Sequence, residues 1–122
     1  MADEGRGRIE PFLMVVLSRR FDAISRQMTN TLLRSARSIV VNTARDFSCS
    51  FAVAGGRLIC LAEGLPIHVA SSGLVAKAMS ELFVDIGPGD CFLNNSPYYG
   101  NTHHADHTMC VPVFFEGEHL FT

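Results

Sequence analysis

The stretch NNSPYYGNTHHADH, residues 94–107, gathers His103, His104 and His107 around Asp106, and these are three of the five histidines in the chain. Imidazole nitrogen and carboxylate oxygen together suit zinc, manganese or iron, and a loop can aim them at one point. Such an ion takes three or four protein ligands, so a loop supplying His103 and Asp106 needs others from elsewhere. Asp46 in ARDFS is the foremost candidate. It stands beside Phe47, where a helical pattern gives way to a strand pattern, and an unpaired carboxylate there is costly unless it coordinates or bonds something. On spacing alone a solvent-facing polar loop rich in imidazole is the more ordinary reading. His68, in the apolar run LPIHVA, is by type more often a hydrogen-bonded core histidine than a ligand.

The elements that must position these residues can be read from periodicity. Pro11 suits a first helical turn, and Leu17, Phe21, Ile24, Met28, Leu32, Ala36 and Ile39 then recur at intervals of three or four. They form one stripe of a long amphipathic helix, with Arg19, Arg26 and Arg37 on the far side. So long a stripe exceeds what a small domain covers, and part of it is expected to meet another chain. After Asn42 the period becomes two. With Gly55-Gly56 as a two-residue hairpin loop, Val53 faces Leu58, Phe51 faces Cys60 and Cys49 faces Ala62. EGLPIHVASSG reads as a connection, with Ser71-Ser72-Gly73 capping a second, shorter helix over LVAKAMSELF. DIGPGD breaks that helix. CFLNN and TMCVPVFF read as strands around the histidine loop, and Glu116-Gly117 turns the chain into a last strand. The expected fold class is α+β: a long N-terminal amphipathic helix on an antiparallel sheet, with a short second helix between strands.

A chain of 122 residues with 48% apolar and 18% charged side chains fits one domain and excludes extensive disorder. The apolar run FLMVVL is too short for a membrane span, and no small-residue cleavage site follows it. No membrane association is therefore expected, and the location is expected to be cytoplasmic. Residues 1–45 hold eight arginines against four acids, yet these fall on the solvated face of the helix, and no nucleic-acid partner is expected. None of the four cysteines stands in a C-x-x-C pair; they read as buried free thiols. No phosphate-cradling loop, dinucleotide fingerprint or nucleophile elbow occurs, so nothing points to ATP binding by this chain itself.

From about Pro11 onward these pieces resemble the hydantoinase B/oxoprolinase family. SARSIVVNTARDFSCSFAVAGGRLICLAEGLPIHVASS is similar to the family's Arg-Asp-Phe-Ser, hairpin, Gly-Arg-Leu and Pro-x-His succession. PGDCFLNNSPYYGNTHHADH is similar to its Pro-Gly-Asp, Pro-Tyr and Thr-His-x-x-Asp signature. The resemblance implies a metal site that includes Asp46, His103 and Asp106, with zinc or manganese as the divalent ion. It implies His104 or His68 as a proton carrier. It also implies a hetero-oligomer with an A-type subunit that uses ATP to activate a small cyclic amide or a ketone. The implied reaction is ring opening of a cyclic amide such as a hydantoin or 5-oxoproline. The alternatives are a subunit of a ketone carboxylase of the acetone or acetophenone type, and a non-catalytic truncated or structural small subunit. The pattern departs from the family at Ser96, Asn101, His104 and Ala105, beside the implied ligands. Family members are several times longer, so residues 1–122 are expected to be one domain that forms only the N-terminal portion of such a protein.

Overall fold

The structure is a computed structural model that describes residues 10–62 and 65–122. Its order is α1 (Pro11–Ser35), α2 (Ile39–Asn42), β1 (Cys49–Ala52), β2 (Leu58–Ala62), α3 (Pro66–Leu82), β3 (Phe92–Asn94), β4 (Thr108–Cys110), β5 (Val113–Phe115) and β6 (Glu118–Phe121), with a 3-10 turn at Pro97–Tyr99. The fold is α+β, with a long N-terminal helix and antiparallel strand pairs, as expected from the sequence.

Helix α1 opens with Pro11 in its first turn and ends at Ser35, where Ala36 turns to extended backbone. The expected continuation to Ile39 is broken because the Ser38 hydroxyl accepts from the Val40 N–H, 3.2 Å away, and so caps a separate short helix. The face of α1 that meets the β1–β2 hairpin shares only Phe21 with the apolar stripe and is otherwise offset from it. Ser25 and Thr29 are its buried residues, Ser25 Oγ lies 3.1 Å from Cys60 Sγ, and Phe21 packs against Phe51 and Phe121. Small side chains let helix and hairpin approach closely. At ~100° per residue the buried face is about a quarter turn from the apolar stripe. Leu17, Ile24, Met28 and Leu32 are accordingly left 38–44% exposed.

The β1–β2 register pairs Cys49 with Ala62 and Phe51 with Cys60, as expected, but Ala52 rather than Val53 stands opposite Leu58. A bulge at Phe51/Ala52 absorbs one residue, and the Val53 N–H bonds the Arg57 carbonyl. The loop is therefore longer than two residues. Val53 is freed to bridge Phe121, and Ala52 and Thr122 exchange two backbone hydrogen bonds of 2.8 Å. The β1–β2 and β5–β6 hairpins thus meet edge to edge along β1 and β6. Between β5 and β6, Glu116 (φ 50°) and Gly117 (φ 83°) form the tight left-handed turn that a two-residue hairpin requires.

Helix α3 begins at Pro66, well before the expected start. Ser71 and Ser72 are not caps: both hydroxyls donate back to the His68 carbonyl within the helix. Gly73 is tolerated inside it because the hairpin tip arrives there, and a Cβ on Gly73 would lie 2.6 Å from the Gly56 carbonyl oxygen. This correction moves His68 from a connection onto the first turn of a helix. Glu63 and Gly64 of the expected connection lie outside the described residues. The run TMCVPVFF is likewise two strands. Cys110 pairs with Phe92 and Val113 with Phe121, and Pro112, which lacks an N–H, sits where the chain changes partners.

Val75, Met79 and Cys110 form the buried cluster between α3 and the β3–β4 ribbon, with Ile86 and Phe92 against it. All four cysteines are free. Cys110 is buried and Cys49 and Cys60 are half-buried, whereas Cys91 is exposed, contrary to the expectation of four buried thiols. Burial, and secondarily the neighbouring Cys91, push the Cys110 thiol up to about 11 from an ordinary 9.0. A raised thiol pKa means that the folded chain keeps a proton the unfolded chain has lost. The associated stability is complete below pH ~9 and disappears as the pH rises through ~11. A shift of this size corresponds to about 2–3 kcal/mol. Chemical denaturation from pH 8 to 11 should show that alkaline loss in the wild type and a flatter profile in Cys110→Ala.

Candidate functional site

The loop 95–107 hangs from the β3–β4 ribbon, closed at its base by the Asn94–Thr108 pair. Asn101, itself buried, ties it together. Its amide donates to the Asn94 carbonyl (3.3 Å) and the Asp106 carbonyl (2.8 Å), and its side-chain oxygen accepts from the Thr108 hydroxyl (2.7 Å). Gly100, at φ 90°, lets the loop press against Leu74 and Val75 of α3. The helix that carries His68 thereby also fixes the loop that carries His103 and Asp106. Asn101 was noted in the sequence only as a departure from the family pattern; its role as a tie depends on backbone carbonyls that no side-chain pattern reveals. Asn101→Ala should lower stability by about 2–4 kcal/mol, since it strands buried partners; thermal unfolding checks this.

Four side chains from three segments meet above this loop. His68 Nε2 lies 3.9 Å from Asp46 Oδ1 and 3.9 Å from Asp106 Oδ2, and His103 Nε2 lies 3.6 Å from Asp106 Oδ1. Asp46 reaches the cluster through His68, which is the hub. The His68 side chain is 12% exposed, against 25% for Asp106, 40% for Asp46 and 64% for His103. The Thr102 hydroxyl donates to Asp106 Oδ2, and the Asp106 N–H donates to the His103 carbonyl, so this carboxylate is held from both sides. His68 Nδ1 is buried without a hydrogen-bond partner. Of the other loop histidines, His104 is exposed and its main-chain carbonyl accepts from Asn95, while His107 Nδ1 contacts the Ala105 carbonyl at 3.0 Å. Neither ring reaches the carboxylates.

Two carboxylates and two imidazoles are donor chemistry suited to zinc or manganese. Three of their separations, 3.6 to 3.9 Å, fall in the ~3–4 Å range between donors that share one ion. Among the described residues, no three acidic, histidine or cysteine side chains already form a group that could hold a metal ion. The His103 ring shows what has to change. Its Nδ1 accepts from the Ala105 N–H at 3.2 Å, so in the neutral ring the proton sits on Nε2, facing Asp106. Metal binding through Nε2 would move that proton to Nδ1 and release the Ala105 contact. The residues fit a divalent ion in kind; holding one would require them to converge further, with His103 reoriented.

The chain belongs to the hydantoinase B/oxoprolinase family, whose profile matches residues 10–122. The 5-oxoprolinase of Pestalotiopsis fici is 36% identical over 114 residues, which are 93% of this chain and 9% of that protein. Caprolactamase subunit beta of Pseudomonas jessenii is 32% identical over 114 residues, 93% of this chain and 20% of its own. Among solved structures, nucleotide-free acetone carboxylase superposes with a TM-score of 0.82 at 29% identity, covering 92% of this chain and 15% of that one. The chain thus spans a fifth or less of the relatives named here. Among the described residues no helix is long and apolar enough to cross a membrane.

Proposed function

We propose that this chain supplies part of a divalent-metal site for ATP-dependent opening of a small cyclic amide, working with a separate ATP-using subunit. The observation that carries the reading is the position of His68 Nε2, 3.9 Å from carboxylates of two distant segments. Asp46, His68, Asp106 and a reoriented His103 are the residues that would hold the ion. When bound, a divalent ion supplies polarisation of the carbonyl and charge stabilisation for the attacking oxygen.

The chain's own contributions are positional. Asp46 and Asp106 flank the His68 imidazole, each 3.9 Å from Nε2. Thr102 keeps Asp106 from turning away by donating to Oδ2. In the metal-free arrangement described His103 carries a ring proton at Nε2 within reach of Asp106; with that nitrogen on the ion it would serve as a ligand and not as a proton carrier there. The names of the relatives support this assignment: two are an oxoprolinase and a caprolactamase subunit, and the second name itself denotes a subunit. Ketone carboxylation is the second reading, favoured by the likeness to acetone carboxylase.

The test is turnover of 5-oxoproline, caprolactam and acetone by the chain with its ATP-using partner, ATP, bicarbonate and Mn²⁺ or Zn²⁺. Ring-opened product that disappears in Asp106→Asn supports the hydrolase reading. Acetoacetate without ring opening moves the assignment to carboxylation. Turnover unaffected by Asp106→Asn would show that these residues are not the site.

A further inference from the structure

Between α2 and β1 the chain makes an unusual reversal. Arg45 adopts φ 54°, in the left-handed region, where glycine is the usual occupant. This single residue returns the Asp46 N–H to the Val40 carbonyl at 3.1 Å, and the Phe47 N–H bonds the Arg45 carbonyl at 3.0 Å across Asp46. Asp46 is therefore the central residue of a tight three-residue turn, anchored on one side to the end of α2. On the other side Phe47 is buried. With both neighbours fixed, the turn sets the Cα–Cβ direction of Asp46, whose carboxylate lies 3.9 Å from His68 Nε2. Rotating Arg45 to ordinary extended or right-handed backbone would break the Val40 bond and swing Asp46 away.

We propose that Arg45 is a positioning residue: its left-handed backbone aims Asp46 at His68. The inference rests on the reading of Asp46 and His68 as members of one site. It makes a specific demand on substitution. Arg45→Gly and Arg45→Val both remove the guanidinium and every contact it makes, so a difference between them does not come from that group. Glycine enters the left-handed region freely, whereas a residue with a Cβ is penalised there and a β-branched one more so. If the aimed conformer falls to about a tenth of the population, apparent affinity falls about tenfold.

The experiment measures Mn²⁺ affinity of the full chain by calorimetry. In parallel it records the nuclear Overhauser contact between the Asp46 β-protons and the His68 ring in the metal-free protein. Arg45→Gly should keep the contact and bind within about threefold of the wild type, while Arg45→Val should lose the contact and bind ~10-fold more weakly. Should Arg45→Val not fold, Arg45→Asn and Arg45→Ala repeat the comparison, because asparagine tolerates the left-handed region better than alanine. Retention of contact and affinity in the valine or alanine protein overturns the proposal, and so does loss of both in the glycine protein. If the wild type shows the contact but binds no Mn²⁺, the metal reading fails. The proton contact alone then judges Arg45: loss in the valine protein with retention in the glycine protein supports the inference, and retention in both overturns it.

Discussion

Replacing His68 with alanine is expected to weaken Mn²⁺ binding about 100-fold, a change of ~2.7 kcal/mol. His68 is the only one of the site's side chains placed within 4 Å of both carboxylates among the described residues. Its removal does more than subtract one donor. It leaves Asp46 and Asp106 facing each other without the imidazole between them, and like charges brought together in a partly enclosed site resist convergence. His104→Ala and His107→Ala should each change affinity by less than about threefold, since neither ring reaches the cluster. Calorimetric titration of the three variants, with circular dichroism to verify folding, makes the comparison. Equal affinity in His68→Ala and wild type would mean that the carboxylates do not act through this histidine, and the proposed site would be wrong.

Gly100→Ala is expected to be among the most damaging single-methyl substitutions in the chain. A Cβ there would lie 2.6 Å from Leu74 Cβ, 2.8 Å from the Leu74 carbonyl carbon and 2.9 Å from the Val75 nitrogen. Two of these atoms are helix backbone and cannot swing aside. The residue also sits at φ 90°, where any side chain is strained. Overpacking and backbone strain together should cost about 3 kcal/mol or more. Part of that cost is relieved if the loop lifts from α3, which carries Asp106 away from His68. Gly100→Ala should therefore lower both the melting temperature and metal affinity. Gly89→Ala serves as a control: it has a positive φ of 94° but open space around its Cβ, so it should lower stability modestly and leave binding intact. Unchanged binding in a folded Gly100→Ala protein would show that the loop does not depend on this contact.

Much of this arrangement was legible in the sequence because it is local. The Phe51–Cys60 register follows from alternation, the turn at Glu116-Gly117 from its glycine, and the grouping of His103 with Asp106 from adjacency. What was misread has physical causes. Ser71, Ser72 and Gly73 look like a helix start, but the hydroxyls can bond back to a helical carbonyl, and glycine is accepted where another backbone approaches. Treating them as a boundary left His68 in a connection and hid its role as the hub. The apolar stripe of α1 was real as a pattern. Which face of a helix meets a sheet depends on steric fit as well as hydrophobicity, and here Ser25 and Thr29 offered the closer approach. The site's convergence was legible only in part, because His68 and Asp106 are joined through the Gly100 contact, which no periodicity encodes.

The reciprocal bonds between Ala52 and Thr122 have a kinetic consequence. Among the described residues the three hairpin pairings join segments that are near neighbours along the chain, whereas this seam, with the adjoining Val53–Phe121 bridge, closes a loop of some seventy residues. Loop closure of that length is entropically expensive and slow compared with hairpin zipping. Each hairpin can form on its own clock, but the seam between them can form only after α3 and the histidine loop have folded back. The seam is thus a late event in folding. Hydrogen exchange is expected to show the Ala52 and Thr122 amides opening before those of the hairpins on either side.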